Sequence, residues 1–325
     1  GFHDAAKVCA PGIVTGRYGS IGKFFYLTED FWPLNTTLYV EDFKGNHPYF
    51  IYFLLQTLDF LQLSGKTSVP GVNRNDLHRI PIKLPPLSEQ RKIANILSTW
   101  DEAIDLTEQL IATKQKRKQA LMQQLLTGKV RFPGFDAKWE FSPAGEVFQS
   151  VSKKNNDENE PLLSVTQDQG VLPRDMLETR VVNPEGSTKG YKLVLPGNFI
   201  ISLRSFQGGL EYSGYRGLVS PAYTVLQAKK EIINDFYRYY FKSYEFIGRL
   251  AIAVIGIRDG KQISYEDFCT LRLPCPSLPE QAAIGEILCT VDQEINLLQQ
   301  KLAALRQQKK GLMQQLLTGK IRVKV

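Results

Sequence analysis

At 325 residues, 43% of them apolar, the chain holds enough core-forming material for about two globular domains, and its 40 lysines and arginines against 33 acidic residues give a net charge of +7. That balance favours a polyanionic partner without requiring one. Four cysteines (Cys9, Cys269, Cys275, Cys289) show no C-x-x-C pair and no histidine at zinc-ligand spacing, which excludes a recognisable zinc motif and reads as reduced thiols in a cytoplasmic protein. Apolar runs such as 49–55 are far shorter than the roughly 20 residues that cross a bilayer, and no secretory signal is present, so no membrane partner is expected.

In chain order, residues 1–83 read as a globular segment of short strands at 7–9, 13–14 and 36–40, punctuated by Pro11-Gly12, Gly19 and Gly22. An aromatic-rich helix follows at 49–63. Residues 84–131 carry a first long helix. A second globular segment, 132–273, has strands at 191–195, 199–203 and 223–227, a Gly208-Gly209 turn and a helix at 236–250. Residues 274–325 hold a second long helix and a tail.

The string LMQQLLTGK at 121–129 recurs unchanged at 312–320, an offset of 312 − 121 = 191. At the same offset Glu89-Gln90 matches Glu280-Gln281, Leu97 matches Leu288, and Asp101 matches Asp292. A solenoid unit runs to roughly 20 to 50 residues, so the repeat is a whole domain plus helix, copied once. The second globular segment spans about 140 residues, an ordinary domain size. The first has only 1–83, so the first copy is expected to lack its opening third.

From Ile284, apolar residues fall at steps of four and three: Leu288, Val291, Ile295, Leu298, Leu302, Leu305, then Lys309, Leu312 and Leu316. The first helix repeats the seam as Ile93, Leu97, Trp100, Ile104, Thr107, Ile111, Lys114, Lys118, Leu121 and Leu125. This is coiled-coil spacing. Each helix should start at the Ser-Glu-Gln or Pro-Glu-Gln stretch, where Glu89 and Glu280 face the positive end of the helix dipole, and end at Gly128 or Gly319. A length of about 39 residues gives ~58 Å at 1.5 Å per residue. The two seams are expected to cover each other, antiparallel, with the duplicated units related by an approximate two-fold axis. The fold class is therefore α+β: two mixed domains joined by two long helices in an antiparallel coiled coil.

Two loops place arginine among glycine, serine and aromatic residues at corresponding points. The first holds Arg17, Tyr18, Ser20 and Lys23; the second holds Arg204, Ser205 and Gln207, with Tyr212, Arg216 and Tyr223 downstream. Arginine suits bidentate contact to guanine or phosphate, glutamine can pair with adenine, and glycine permits close backbone approach. A surface hairpin with solvated arginine is the plain alternative. Later in each domain Lys66, Asn73 and Arg74, and Arg258, Lys261 and Gln262, offer either a second DNA contact or exposed loop polarity. Met122, Leu126, Met313 and Leu317 widen the apolar stripe of the helices, either to dock a partner or to pack on their own domain.

Catalytic signatures are missing. Gly65-Lys66-Thr67 lacks the glycine five positions earlier that a phosphate-binding loop needs, since that position is Phe60. There is no G-x-G-x-x-G after a strand, and the single Pro-Pro, Pro85-Pro86, is flanked by leucines rather than by the acidic or amide residue and aromatic of amino-methylating enzymes. Asp101, Glu102 and Asp105 read as a solvated helix face, and His3, His47 and His78 are isolated. The basic group Lys114, Lys116, Arg117, Lys118, Arg306, Lys309 and Lys310 reads as solvent-exposed or as a backbone contact to DNA. No catalytic residue, metal ligand or cofactor is expected in this chain.

The helix starts LPPLSEQRKIANIL at 84–97 and PSLPEQ at 276–281, the LLTGK helix ends, and stretches such as SLRSFQGGLE at 202–211, VSPAYT at 219–224, GSIGK at 19–23 and WPLNTT at 32–37 resemble the specificity subunit of bacterial type I restriction-modification enzymes over essentially the whole chain. The resemblance implies two target-recognition domains, each reading half of a bipartite site in double-stranded DNA, with the coiled coil as a ruler. It further implies two docked modification (methyltransferase) subunits that carry S-adenosylmethionine, and restriction (endonuclease) subunits. The short first domain departs from that pattern. A coiled-coil protein-interaction scaffold without sequence-specific DNA binding is the alternative.

Overall fold

The computed structural model describes residues 4–60, 62, 71–154, 160–177, 188–253 and 263–324. The first globular segment folds as β1 (Gly12–Gly16), β2 (Phe24–Leu27) and β3 (Thr37–Tyr39), an antiparallel sheet in the order β2-β1-β3, followed by α1 (Pro48–Leu55) and α2 (Arg74–Leu77). The long helix α3 (Leu87–Leu125) comes next. The second globular segment runs β4 (Glu140–Pro143), α4 (Ala144–Val147), β5 (Phe148–Val151), β6 (Leu163–Thr166), β7 (Gly170–Pro173), β8 (Lys192–Val194), β9 (Phe199–Ile201), α5 (Ser205–Gly208), β10 (Glu211–Tyr212), β11 (Gly217–Val219), β12 (Thr224–Ala228), α6 (Asn234–Tyr240), α7 (Tyr244–Ala253), α8 (Tyr265–Thr270) and β13 (Arg272–Cys275). Its main sheet has the order β10-β9-β12-β5, and β11-β8, β13-β4 and β6-β7 form antiparallel pairs. The chain ends with α9 (Leu278–Leu316).

Both long helices have 39 residues and start and stop at equivalent positions of the repeat, as the capping residues require. Pro86 and Ser277 carbonyls accept the first helical N–H groups, and Gly128 (φ 70°) and Gly319 (φ 73°) reverse the chain at the far ends in the left-handed region that only glycine enters freely.

The chain divides into two compact units, residues 1–111 with 297–325, and residues 112–296, so each unit owns the beginning of one long helix and the end of the other. In the first unit, Phe50, Phe53 and Leu54 of α1 bury against Ile93, Ala94 and Leu97 of α3 and against Leu316 and Leu317. In the second, an aromatic core of Phe148, Phe199, Phe236, Tyr237, Phe241 and Phe246 packs with Leu125 and Leu126 on one side and Ile284 and Leu288 on the other. Burying one such side chain stabilises by about 1.5–3 kcal/mol. Within each unit the two helix portions run antiparallel, and every seam position is buried or half-buried.

The polar seam positions are satisfied. Thr107 donates its hydroxyl to the Ala103 carbonyl (2.7 Å), Lys114 pairs with Glu294 (2.6 Å), Lys118 with Asp292 (2.6 Å) and Lys309 with Asp101. Arg306 pairs with Glu108 at 2.6 Å. These partners correct two readings: Asp101 is not merely solvated, and Lys114, Lys118, Arg306 and Lys309 spend their charge on the opposite helix. Two of the bridges are reciprocal, because Lys118 and Lys309, and Asp101 and Asp292, are each separated by the repeat length. Lys118 also lies 5.3 Å from the Tyr239 ring centre and Lys309 lies 5.1 Å from that of Phe53, at the same place in each unit.

A second reciprocal set is buried. Glu280, 1% exposed, receives Arg131 through two hydrogen bonds (2.7 and 2.6 Å) and the Trp139 indole N–H (2.9 Å). Glu89, 2% exposed, receives Arg322 through bonds of 2.8 and 2.6 Å and the Val323 N–H (3.1 Å). The adjacent glutamines repeat as well. Gln90 donates to the Pro85 carbonyl and accepts from the His47 N–H, both at 2.9 Å; Gln281 donates to Pro276 (2.8 Å) and accepts from Ile233 (2.9 Å).

Several expectations change. Of the two readings of Met122, Leu126, Met313 and Leu317, packing on their own unit is what the structure shows: Leu126 and Leu317 are buried, and both half-buried methionines lie against the core of their own unit. The strand expected at 7–9 reduces to one bridge, Val8 with Phe31. The helix expected at 49–63 ends at Leu55, where Thr57 turns its hydroxyl onto the Leu54 carbonyl. The helix expected at 236–250 is two helices, because the Ser243 hydroxyl accepts the Phe246 N–H and starts α7 afresh.

Arg322 beside Glu89 holds that carboxyl below the ordinary glutamate range. A depressed folded value makes the carboxylate's contribution complete above the unfolded value and lost as pH falls through the folded one. The difference in melting temperature between wild type and Glu89→Gln should therefore be largest at neutral pH and close on acidification. Thermal melts across that range check this, and a pH-independent difference would refute it.

Candidate nucleic-acid interface

Each candidate arginine follows the central strand of a three-strand arrangement that the two units share, β2-β1-β3 and β10-β9-β12. Arg17 and Arg204 stand 204 − 17 = 187 apart, and so do Gly22 and Gly209, so the loops correspond in three dimensions as in sequence. Both arginines are exposed.

In the first unit, residues 17–23 link β1 to β2 through Gly19 (φ 70°) and Gly22 (φ 76°). The Arg17 guanidinium lies 5.5 Å from the Tyr18 ring centre, a cation–π distance. That ring lies against Gly71, and the Arg17 carbonyl accepts the Val72 N–H (3.2 Å), which brings Asn73 and Arg74 beside the loop. Arg17, Asn73 and Arg74 line one cleft of about 1110 Å³ with Asn35, Lys44 and His78. Asn73 is partly committed, since its side-chain oxygen caps α2 by accepting from the Asn75 N–H (3.0 Å). Lys23 is exposed, and half-buried Ser20 packs its hydroxyl close to Gly16.

In the second unit, Arg204 precedes the single turn of α5, and Gln207 is exposed on that turn. Ser205 is a correction. It is 1% exposed, and its hydroxyl accepts the Ser202 N–H (2.8 Å), so it shapes the loop rather than facing a ligand. Gly209 (φ 74°) is obligatory, because a Cβ there would sit 1.8 Å from the Phe241 carbonyl oxygen. Tyr212 is half-buried beside the Phe199 ring (5.3 Å) with the Arg238 guanidinium 5.7 Å from its centre. Arg216 is exposed but paired to Glu160 at 2.6 Å. Tyr223 lines a cavity of about 380 Å³ with Thr166, Arg174 and Ser220. Lys66, Arg258, Lys261 and Gln262 lie outside the described residues.

Sequence reasoning passed over three residues of this region. Arg174 lines the Tyr223 cavity, and Lys192 donates to the Tyr223 carbonyl (2.5 Å) while burial lowers its pKa. Gln167 reaches the Arg204 carbonyl at 3.3 Å. None stands in a repeat or motif, so no local signal marked them. Among the described residues no cluster of His, Cys, Asp or Glu could hold a metal ion, and no helix is long and apolar enough to cross a membrane.

Residues 3–113 and 137–307 match the family described as type I restriction modification DNA specificity domain. The type I restriction enzyme MjaVIII specificity subunit of Methanocaldococcus jannaschii is 29% identical over 300 residues, covering 85% of this chain and 70% of that protein. Among solved structures, the type I restriction-modification S subunit from M. genitalium superimposes with a TM-score of 0.61 at 17% identity, over 98% of this chain and 85% of the other. A chain from a study of complex assembly and conformational transition of the type I R-M system gives 0.60 at 20% identity, over 97% and 83%.

Ser205→Ala should cost about 1–3 kcal/mol of second-unit stability, because the Ser202 N–H is left buried without its acceptor. Urea unfolding monitored at the aromatic core checks the value; no loss would show the loop finds another acceptor.

Proposed function

We propose, because this chain belongs to the type I restriction-modification DNA specificity family, that its two recognition domains each read one half of a bipartite duplex and that the long helices set the distance between them. The observation that carries this reading is the exposed arginine that follows the equivalent central strand in both units. A guanidinium on a glycine-bearing loop can approach base edges or phosphates bidentately. A helix of 39 residues is ~58 Å long, within the about 34–70 Å that separate half-sites one or two turns apart. Joining two weak contacts through a stiff link raises affinity by effective concentration.

Partner assembly belongs to the same proposal. Two modification subunits dock mainly on the helical regions, where Leu106, Leu110 and Leu297 leave apolar surface exposed, and restriction subunits complete the complex. S-adenosylmethionine resides on the modification subunit. Purified alone with DNA and S-adenosylmethionine, this chain should transfer no methyl group.

The decisive experiment maps methylated positions in DNA treated with this chain and its modification partner. Arg204→Ala should relax one half-site and Arg17→Ala the other, each by the ~1–3 kcal/mol that a bidentate guanine contact is worth. Binding should also weaken steeply and log-linearly with salt. Unchanged methylation patterns in both variants, together with salt-insensitive association, would favour a protein-interaction scaffold instead.

A further inference from the structure

A half-buried ion pair underlies the Arg204 loop and has no counterpart among the described residues of the other unit. The Lys242 ammonium donates to three acceptors: the Glu211 carboxylate, the Gly208 carbonyl at 2.9 Å and the Gln167 carbonyl at 3.2 Å. An ammonium has three N–H donors, so all are used. Gln167 in turn donates to the Arg204 carbonyl at 3.3 Å. Lys242 therefore ties the end of α6, the turn between β6 and β7, strand β10 and the last residue of α5 into one network.

Glu211 is 1% exposed, and burial raises its pKa against the opposing pull of Lys242. Its second oxygen, Oε2, is buried without a hydrogen-bond partner among the described residues. Such a pair is a costly way to stabilise a fold, because apolar residues of similar size often serve as well. The first unit shows that alternative. At the 187-residue offset of the loop, Glu211 corresponds to Phe24, whose ring packs edge-on against Phe60 at 5.0 Å. Just after α1, where Lys242 stands just after α6, is Gln56, exposed and with its side chain donating to the Tyr52 carbonyl at 3.2 Å. The shared sheet order forms without the ion pair, so the pair is not a condition of the fold.

We propose that Lys242 is a positioning residue for base recognition by the second unit, fixing the carbonyls on both sides of Gln207 so that the Arg204 and Gln207 side chains meet the duplex in one geometry. This rests on the reading of that loop as a DNA contact. Arg204 and Gln207 are the exposed polar side chains of a loop whose own backbone is otherwise held by Ser202, Ser205 and Gly209. Without the Lys242 strap the α5 turn keeps its internal bonds but loses its anchor to α6 and to β10. The expected result is a loop that still binds DNA and discriminates less.

The test uses the full chain assembled with its modification partner, and duplexes carrying the mapped target or single-base variants in one half-site or the other, with methyl transfer as the readout. Lys242→Met should lower discrimination in the second unit's half-site roughly tenfold, a shift on the order of one hydrogen-bonded contact. Discrimination in the other half-site should stay at the wild-type level, and Lys242→Arg, which keeps the donors, should restore most of the loss. Wild-type discrimination in Lys242→Met, when Arg204→Ala has lost it, overturns the positioning role alone. Equal loss at both half-sites overturns it too, as general destabilisation. No effect of Arg204→Ala overturns the reading of the loop itself. If Lys242→Met fails to fold, Gln167→Ala decides: a smaller loss confined to the same half-site supports the proposal, and unchanged discrimination refutes it.

Discussion

Two carboxylates sunk at the starts of the long helices constrain everything around them. An unpaired carboxylate in so dry a place would cost several kcal/mol, so Glu89 and Glu280 require a fixed, fork-shaped cation, and Arg322 and Arg131 supply it in bidentate geometry. Each arginine lies just beyond the glycine that ends the other helix, so the start of one helix is locked to the end of the other. The neighbouring glutamines then bind the N–H of His47 and of Ile233, the residues that precede α1 and α6. One dipeptide, Glu-Gln, thus ties three elements together in each unit. The aromatic helix is held at a set register against the seam, and from it follow the sheet and the loop after its central strand.

The same arrangement separates what was legible in the sequence from what was not. The long helices were readable in length and phase, with ends two or three residues off, because their period, their capping glycines and the repeat all point one way. The Glu-Gln pair was legible only as a favourable charge at a helix start. Its true partners are 149 and 233 positions away, and no local pattern connects Glu280 to Arg131 or Glu89 to Arg322. The globular segments were hard for a different reason. Strands of two to five residues, such as β10 and β11, are too short for alternation to declare itself, and tertiary pairing defines them. In the two candidate loops, residue types singled out Arg17 and Arg204, yet Ser205 faces inward and Lys242 supports the second loop from the turn between α6 and α7, which composition cannot reveal.

The two units are alike where they touch the helices and unlike where they present loops. Lys118 over Tyr239 and Lys309 over Phe53 keep the same cation–ring contact, although only Tyr239 adds a hydroxyl bond to Asp292 (2.7 Å). Farther out the likeness fades. One loop leans a tyrosine on Gly71 and opens on a broad cleft, and the other is a helical turn strapped to a half-buried ion pair. Duplication thus preserved the packing that fixes position and let the exposed loops diverge.

That division has an energetic reason. Side chains in the seam and in the aromatic cores sit among many neighbours, where a single truncation removes transfer energy and leaves a cavity, so change there is costly. A loop after a central strand is anchored at one end by the sheet and elsewhere by a few bonds to glycines, serines and one lysine, and its arginine side chain stays exposed. Substitutions at Arg17, Gln207 or Arg204 change the exposed surface of each loop without disturbing the buried packing that positions it. The seam and core residues, by contrast, repeat between the two units because each is fixed by its neighbours. The framework, not the loop, fixes where the exposed side chains of each unit stand.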